Sequence, residues 1–162
     1  ESIPRLKILI IGNGSIRNEL EDMARVEGIK DNVVFMGARP DIPGLMKTMD
    51  VFAFPSIEEG FPIAILEAMY LGLPVIASSI SGIPEIITDA IDGFLIEPRN
   101  SRHLADKILA VYRDRSLGEK IGSNARNRIT SGFLPRHYIT RLQNLYSEEL
   151  NKKLKINTGK QI

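Results

Sequence analysis

The 162-residue sequence contains no cysteine and no tryptophan, and only two histidines. Without cysteine there are no disulfides, no thiol nucleophile and no cysteine metal site, which fits a reducing compartment such as the cytoplasm. His103 and His137 are far apart and neither has a carboxylate at metal-ligand spacing, so both are expected on the surface. Charge of one sign is also missing. Formal net charge is +1, which removes the global electrostatic case for nucleic acid binding. No apolar run approaches the roughly 20 residues of a membrane span, and no signal-peptide pattern is visible. No Asp-x-Asp occurs, which argues against a carboxylate-held metal that binds a sugar nucleotide.

What remains is an ordinary globular composition, 43% hydrophobic and 25% charged, enough for one domain with a real core. Continuous apolar runs bounded by Gly or Pro mark strands at Leu6–Ile11, Val33–Met36, Val51–Phe54, Val75–Ala77 and Phe94–Ile96. Helical spacing marks Ser15–Gly28, Ile42–Met49, Pro62–Leu71, Pro84–Ile87, Ser101–Arg113, Leu117–Thr130 and Pro135–Leu150. Gly28 suits a helix stop and Pro62 a first helical position. Residues 1–150 read as one α/β domain and 151–162 as a frayed, basic tail. Alternating strands and helices imply a Rossmann-like parallel sheet with helices on both faces, which binds ligands at the carboxyl ends of its strands.

Four loops lie at that edge. Gly12-Asn13-Gly14 links a strand to a helix, the place of a phosphate-cradling turn. The dinucleotide pattern wants a third glycine where Arg17 stands, so a tight structural turn and a ligand-touching turn stay equally open. Arg39 follows the second strand, where a ribose-recognising group sits in nicotinamide-binding domains; a merely solvated arginine is the plainer alternative. Glu58-Glu59-Gly60-Phe61-Pro62 leads into a helix whose free N–H groups and positive dipole end suit phosphate. Glu67 lies about 7.5 Å further along that helix axis at the standard rise. That is close to the separation of a ribose from the far phosphate of a nucleotide diphosphate. The helix is apolar from Ile63 to Leu71 except at Glu67, so it is expected to be buried, and Glu67 to need a partner: a ligand, or a neighbouring backbone group or lysine. Ser78-Ser79-Ile80-Ser81-Gly82 suits either polar-ligand contact or a helix cap at Ser81 or Gly82, with Glu85 in the first turn.

These residues resemble group 1 glycosyltransferases, retaining enzymes of the GT-B fold. The resemblance rests on Pro55-Ser56, Glu59-Gly60-Phe61-Pro62, Leu66-Glu67-Ala68-Met69 and Gly72-Leu73-Pro74-Val75-Ile76-Ala77. It continues through Gly82-Ile83-Pro84-Glu85-Ile86-Ile87 and Asp92-Gly93-Phe94-Leu95-Ile96-Glu97-Pro98. Ile11–Gly14 and Asp50–Phe52 also match. The resemblance implies the carboxy-terminal domain, which binds a nucleotide-diphosphate sugar donor, with no metal. It implies that Glu67 bonds the ribose hydroxyls and that Glu59 lies near the donor sugar and acceptor. Gly60, Phe61, Pro62 and Ile63 would face sugar and diphosphate through their backbone, with Gly12 and Gly14 near the donor and Arg39 by the base. The intact enzyme would then serve surface polysaccharide or glycoconjugate synthesis. The alternatives are a GT-B nucleotide-sugar epimerase or phosphorylase, a non-catalytic interaction module and, more remotely, a nicotinamide oxidoreductase.

The family's carboxy-terminal domain opens with one more strand and helix, which carry an arginine and a lysine that clamp the diphosphate. Its amino-terminal domain holds the acceptor. Neither is matched here, and the chain opens on Glu1. The expectation is therefore a fragment, inactive alone. It should show an altered sheet, a strand exchanged with a second copy, or an unpaired edge, because the unmatched strand lies mid-sheet in the family's order. Peripheral contact with the inner membrane surface is conceivable for the intact enzyme, though Lys152, Lys153 and Lys155 add little to it.

Overall fold

The computed structural model describes residues 3 and 5–158, with side chains through 152. Its strands are β1 (Ile8–Ile11), β2 (Val33–Gly37), β3 (Phe52–Phe54), β4 (Val75–Ser78) and β5 (Phe94–Ile96). Its helices are α1 (Arg17–Val26), α2 (Ile42–Met46), α3 (Ile63–Tyr70), α4 (Ile83–Ile86), α5 (Ser101–Arg113), α6 (Arg115–Gly132) and α7 (Pro135–Thr158). Every element expected from the sequence is present, with ends shifted by a few residues. Gly28 and Gly72 follow α1 and α3 at φ +69° and +79°, in the left-handed conformation that closes a helix cheaply only at glycine. Pro62 is the N-cap of α3 rather than its first residue. α7 runs past Leu150, where fraying was expected.

All strand pairs are parallel, and they form two separate sheets. One is β1–β2; the other has the order β3–β4–β5. This is the altered sheet anticipated from the unmatched strand. The second sheet carries the core. Parallel strands covered on both faces are apolar throughout, and β4, Val-Ile-Ala-Ser, is wholly buried. Val75 and Ala77 join Ile65, Ala68, Met69, Ile83, Ala125 and Ile129 on one face. Ile76 joins Phe94, Ile96, Val111 and Ile121 on the other. α3 and α4 thus cover one face and α5 packs on the opposite one, while α6 lends Ala125 and Ile129 to the first cluster and Ile121 to the second. Residues 5–41 contribute a single buried hydrophobic residue, Ala24.

α5 and α6 have conventional starts. Asn100 accepts from the His103 N–H at 2.9 Å, and Asp114 accepts from the Leu117 N–H at 3.1 Å. Arg128 on α6 reaches under α4. Its Nε donates to the Ile86 carbonyl and its Nη2 to the Glu85 carbonyl at 2.7 Å. It lies 3.7 Å from the carboxylate of Asp92, which is 5% exposed and also accepts from the Thr88 N–H. This polar tie closes the carbonyls at the end of a four-residue helix that could not satisfy them itself.

Candidate functional site

The loops singled out in the sequence all follow the carboxyl ends of strands. The turn after β1 closes onto the end of β2: the Gly12 N–H donates to the Gly37 carbonyl at 2.8 Å. Arg17, at the place of a third glycine, takes a structural role. It donates to Glu21 at 2.8 Å and to the Phe35 carbonyl at 3.3 Å, and lies over the Phe35 ring. A shallow cavity of about 190 Å³ lies beside this turn, lined in part by Gly12, Gly14 and Arg17. Arg39 is exposed and bound bidentately to Asp41 at 2.8 and 2.7 Å. That hydrogen bond holds the Asp41 carboxyl below its ordinary range and raises Arg39 further. A ligand base would meet a guanidinium already engaged on one edge.

The turn before α3 is open. Glu59 is half-buried and accepts from the Gly60 N–H at 3.0 Å. A Cβ on Gly60 would meet nothing within 4 Å, so the chain's own packing does not call for glycine there. In the first turn of α3, Ile63 donates to the Phe61 carbonyl, and Ile65 and Leu66 donate to that of Pro62. Among the described residues the Ala64 N–H has no such main-chain partner. This end of the helix keeps donor capacity and its positive dipole.

Glu67 corrects one expectation. α3 is not buried all round: Glu67 is exposed, as are Ile63 (60%) and Tyr70 (45%) on the same face, and Phe61 (66%) just before it. Positions 63, 67 and 70 lie along one stripe of a helix, while Ile65, Ala68 and Met69 fill the core. Along this stripe the Arg126 guanidinium of α6 lies over the Tyr70 ring, 5.9 Å from its centroid, while Ile63 stays 60% exposed. Glu67 makes no hydrogen bond or ion pair with the described residues, so neither a backbone group nor a lysine satisfies it in place of a ligand.

In the loop after β4, Ser79 and Ser81 are exposed and Gly82 caps α4. Glu85 sits in the first turn of α4, as expected. The Ser78 hydroxyl is buried with no partner among the described residues. Both histidines are half-buried rather than exposed, and His103 Nδ1 accepts from the Glu97 N–H at 3.4 Å.

The candidate residues fall into two groups. Gly12, Gly14 and Arg39 follow the strands of the first sheet; Glu59, Gly60, Phe61, Pro62, Ile63 and Glu67 follow β3 of the second. Among the described residues no hydrogen bond or ion pair joins residues 5–41 to residues 50–112.

The family model for glycosyl transferases group 1 matches residues 1–128. The chain belongs to this family. A galactosyltransferase of Escherichia coli, named for transfer from UDP-Gal to α-D-GlcNAc-diphosphoundecaprenol, is 34% identical over 93% of the chain and 39% of its own length. A crystal structure of Anabaena HepE in complex with UDP superposes with a TM-score of 0.81, at 29% identity, over 93% of this chain and 42% of that one. The carboxy-terminal domain of a group 1 glycosyl transferase, LpcC from Francisella tularensis, gives 0.69 at 32% identity. It covers 74% of this chain and 63% of that one. The group 1 glycosyl transferase chain therefore spans about two-fifths of the length of the full relatives it matches. No helix among the described residues is long and apolar enough to cross a membrane.

Proposed function

We propose that this chain is the donor-binding part of a longer retaining glycosyltransferase, which moves a sugar from a nucleotide diphosphate to an acceptor in surface polysaccharide or glycoconjugate synthesis. The observation that carries the reading is the α3 segment. An open glycine turn and a helix start with donor capacity precede an exposed carboxylate, Glu67, that has no hydrogen-bond or ion-pair partner among the described residues. In this reading Glu67 accepts from the ribose hydroxyls, and the backbone of Gly60–Ile63 faces the sugar and diphosphate. Glu59 lies near the donor sugar, Gly12 and Gly14 approach the donor from the first sheet, and Arg39 lies by the base. The leaving diphosphate is stabilised by fixed dipoles and cationic groups, an electrostatic contribution that needs no proton transfer. No metal is part of the proposal. UDP complexes of relatives support the donor class; a lipid-linked acceptor in one relative's name makes contact with a membrane surface part of the reading for the longer protein.

The test is calorimetric titration of the full-length protein with UDP and with GDP. Saturable binding of one of them supports the reading, and product analysis with the matching sugar nucleotide then separates a glycoside from an epimerised sugar or a sugar phosphate. Absence of binding to the full-length protein overturns it in favour of a non-catalytic module.

A further inference from the structure

The turn after β1 holds the one asparagine of the sequence that precedes a glycine, Asn13-Gly14. An asparagine side chain places an electrophilic amide carbon within reach of the next backbone nitrogen. Attack by that nitrogen closes a five-membered imide. A side chain on the following residue obstructs the closure, and glycine has none. A folded chain suppresses the reaction by bonding the amide or the nitrogen, or by fixing the backbone in a helix.

None of these restraints operates at Asn13. It is exposed, and its side-chain amide makes no hydrogen bond among the described residues. Its Oδ1 lies against Gly37, where a Cβ would stand 3.1 Å away, a contact and not a bond. The Gly14 N–H has no acceptor among the described residues, and a Cβ on Gly14 would meet nothing within 4 Å.

The other asparagines are restrained. Asn32 donates to the Leu6 carbonyl at 2.8 Å and precedes the β-branched Val33. Asn100 accepts from the His103 N–H and donates to the Glu97 carboxylate, each at 2.9 Å. The rest lie inside α1, α6 and α7. Asp92-Gly93, which reaches the same imide by loss of water, is buried, and its carboxylate holds the Thr88 N–H.

We propose that Asn13 is a self-modification site: in the folded protein it deamidates through a succinimide to isoaspartate, and this breaks the turn it sits in. The Gly14 nitrogen bonds to Cγ of Asn13, the Cγ–Nδ2 bond breaks, and the leaving amide takes the Gly14 proton and departs as ammonia. Water then opens the ring. Opening at Cγ leaves aspartate. Opening at the α-carbonyl leaves isoaspartate, with the main chain running through the former side chain. Water is the only co-reactant, and nothing is oxidised or reduced.

The consequence follows from how the turn is held. The Gly12 N–H donates to the Gly37 carbonyl at 2.8 Å, and the Gly14 carbonyl accepts from the Arg17 N–H at 3.2 Å. Residue 13 is therefore anchored on both sides. Isoaspartate inserts one extra main-chain atom between the anchors and a free carboxylate beside them, so one anchor has to give. The effect on donor binding rests on the proposed function, in which Gly12 and Gly14 approach the donor. A carboxylate added there also opposes a diphosphate.

Peptide mapping that separates asparagine, aspartate and isoaspartate tests the site without reference to nucleotide. The full-length protein is incubated folded, beside a synthetic peptide of residues 8–18. In the protein Asn13 should convert at least ~10-fold faster than any other asparagine, with isoaspartate exceeding aspartate, and Gly14→Ala should slow it at least ~10-fold. Asn13 that stays intact while the peptide converts overturns the proposal. Conversion no faster than at the other asparagines overturns it too. UDP titration of fresh and incubated protein is the separate arm. A loss of at least ~10-fold in affinity once position 13 is isoaspartate supports the consequence, and unchanged affinity overturns it. Asn13→Gln closes a six-membered ring far more slowly and should keep its starting affinity over the same incubation; a matching decline overturns the assignment to this position. Asn13→Asp carries the charge without the rerouted chain and should bind more tightly than the isoaspartate form; an equal loss overturns the broken turn as the cause. Conversion at Asn13 with no UDP binding by fresh protein leaves the modification site standing and removes the donor reading.

Discussion

Gly122 of α6 lies against the main chain of Gly72: a Cβ built on Gly122 would stand 2.0 Å from the Gly72 carbonyl oxygen. The two helices that carry the core, α3 and α6, therefore meet through bare backbone just after α3 ends. Overpacking of this kind typically costs about 1–3 kcal/mol, and the obstacle here is backbone that cannot swing aside. Gly122→Ala should lower the unfolding free energy by that order, seen as a lower urea midpoint with an unchanged slope. Gly132→Ala, where a Cβ meets nothing within 4 Å near the end of α6, is the matched control and should not destabilise.

Arg128 is the second fixed point of this interface. Arg128→Met removes two donors from the Ile86 and Glu85 carbonyls and leaves the buried Asp92 without its cation. Leaving one member of such a cluster unpaired should cost roughly 2–4 kcal/mol in denaturant titration. Adding Asp92→Asn should recover part of the loss. If the double variant is destabilised by the full sum of the single effects, the two residues are not coupled.

Gly60 should behave in the opposite way to Gly122. Its backbone is not left-handed and a Cβ there is unopposed, so Gly60→Ala should leave stability within about 0.5 kcal/mol or raise it slightly. In the full-length protein the same variant should weaken nucleotide binding, because the methyl would occupy space kept for the ligand. Unchanged affinity would remove the Gly60 turn from the site.

Asp114 gives a pH dependence of known sign. Its carboxyl is held below the ordinary aspartate range first by the Ser116 hydroxyl and then by the Leu117 N–H at the start of α6. A carboxyl depressed in the folded state contributes stability above its unfolded pKa and loses it as pH falls through the folded value. Asp114→Ala should therefore lower Tm at pH 7, and the gap to wild type should close on acidification below about pH 4. A gap that is constant down to pH 2 would contradict the capping role.

The fold was legible where one segment carries its own signal. β4 could be placed because Val75–Ala77 is an apolar run between Pro74 and two serines, and α5 because Ser101–Arg113 carries helical spacing. The burial of α3 was misjudged because composition says how much of a helix is apolar, not what covers it. Ile63 is the same residue type as Ile65, yet it faces outward. Gly122 and Arg128 were missed for a related reason. Their roles depend on where α6 crosses the end of α3 and α4, with Arg128 42 and 43 residues from its carbonyl partners, and no local pattern reports that crossing. Spacing marked Gly60 and Glu67, which sit on one turn and one helix, while the place of Glu59 near the donor sugar came only from the resemblance to the family. The separation of its two halves was foreseeable only from the strand order of the family it resembles.

The central claim is that Glu67 recognises the ribose of a nucleotide donor, and calorimetry of the full-length protein tests it most directly. Glu67→Gln keeps size and removes the charge; losing a hydrogen bond to a charged group costs about 1.5–3 kcal/mol, so the UDP or GDP dissociation constant should rise at least ~10-fold. Thermal stability should stay unchanged, because Glu67 is exposed and bonds nothing among the described residues. A dissociation constant that moves less than ~2-fold, with the wild-type protein binding the nucleotide, would contradict the account.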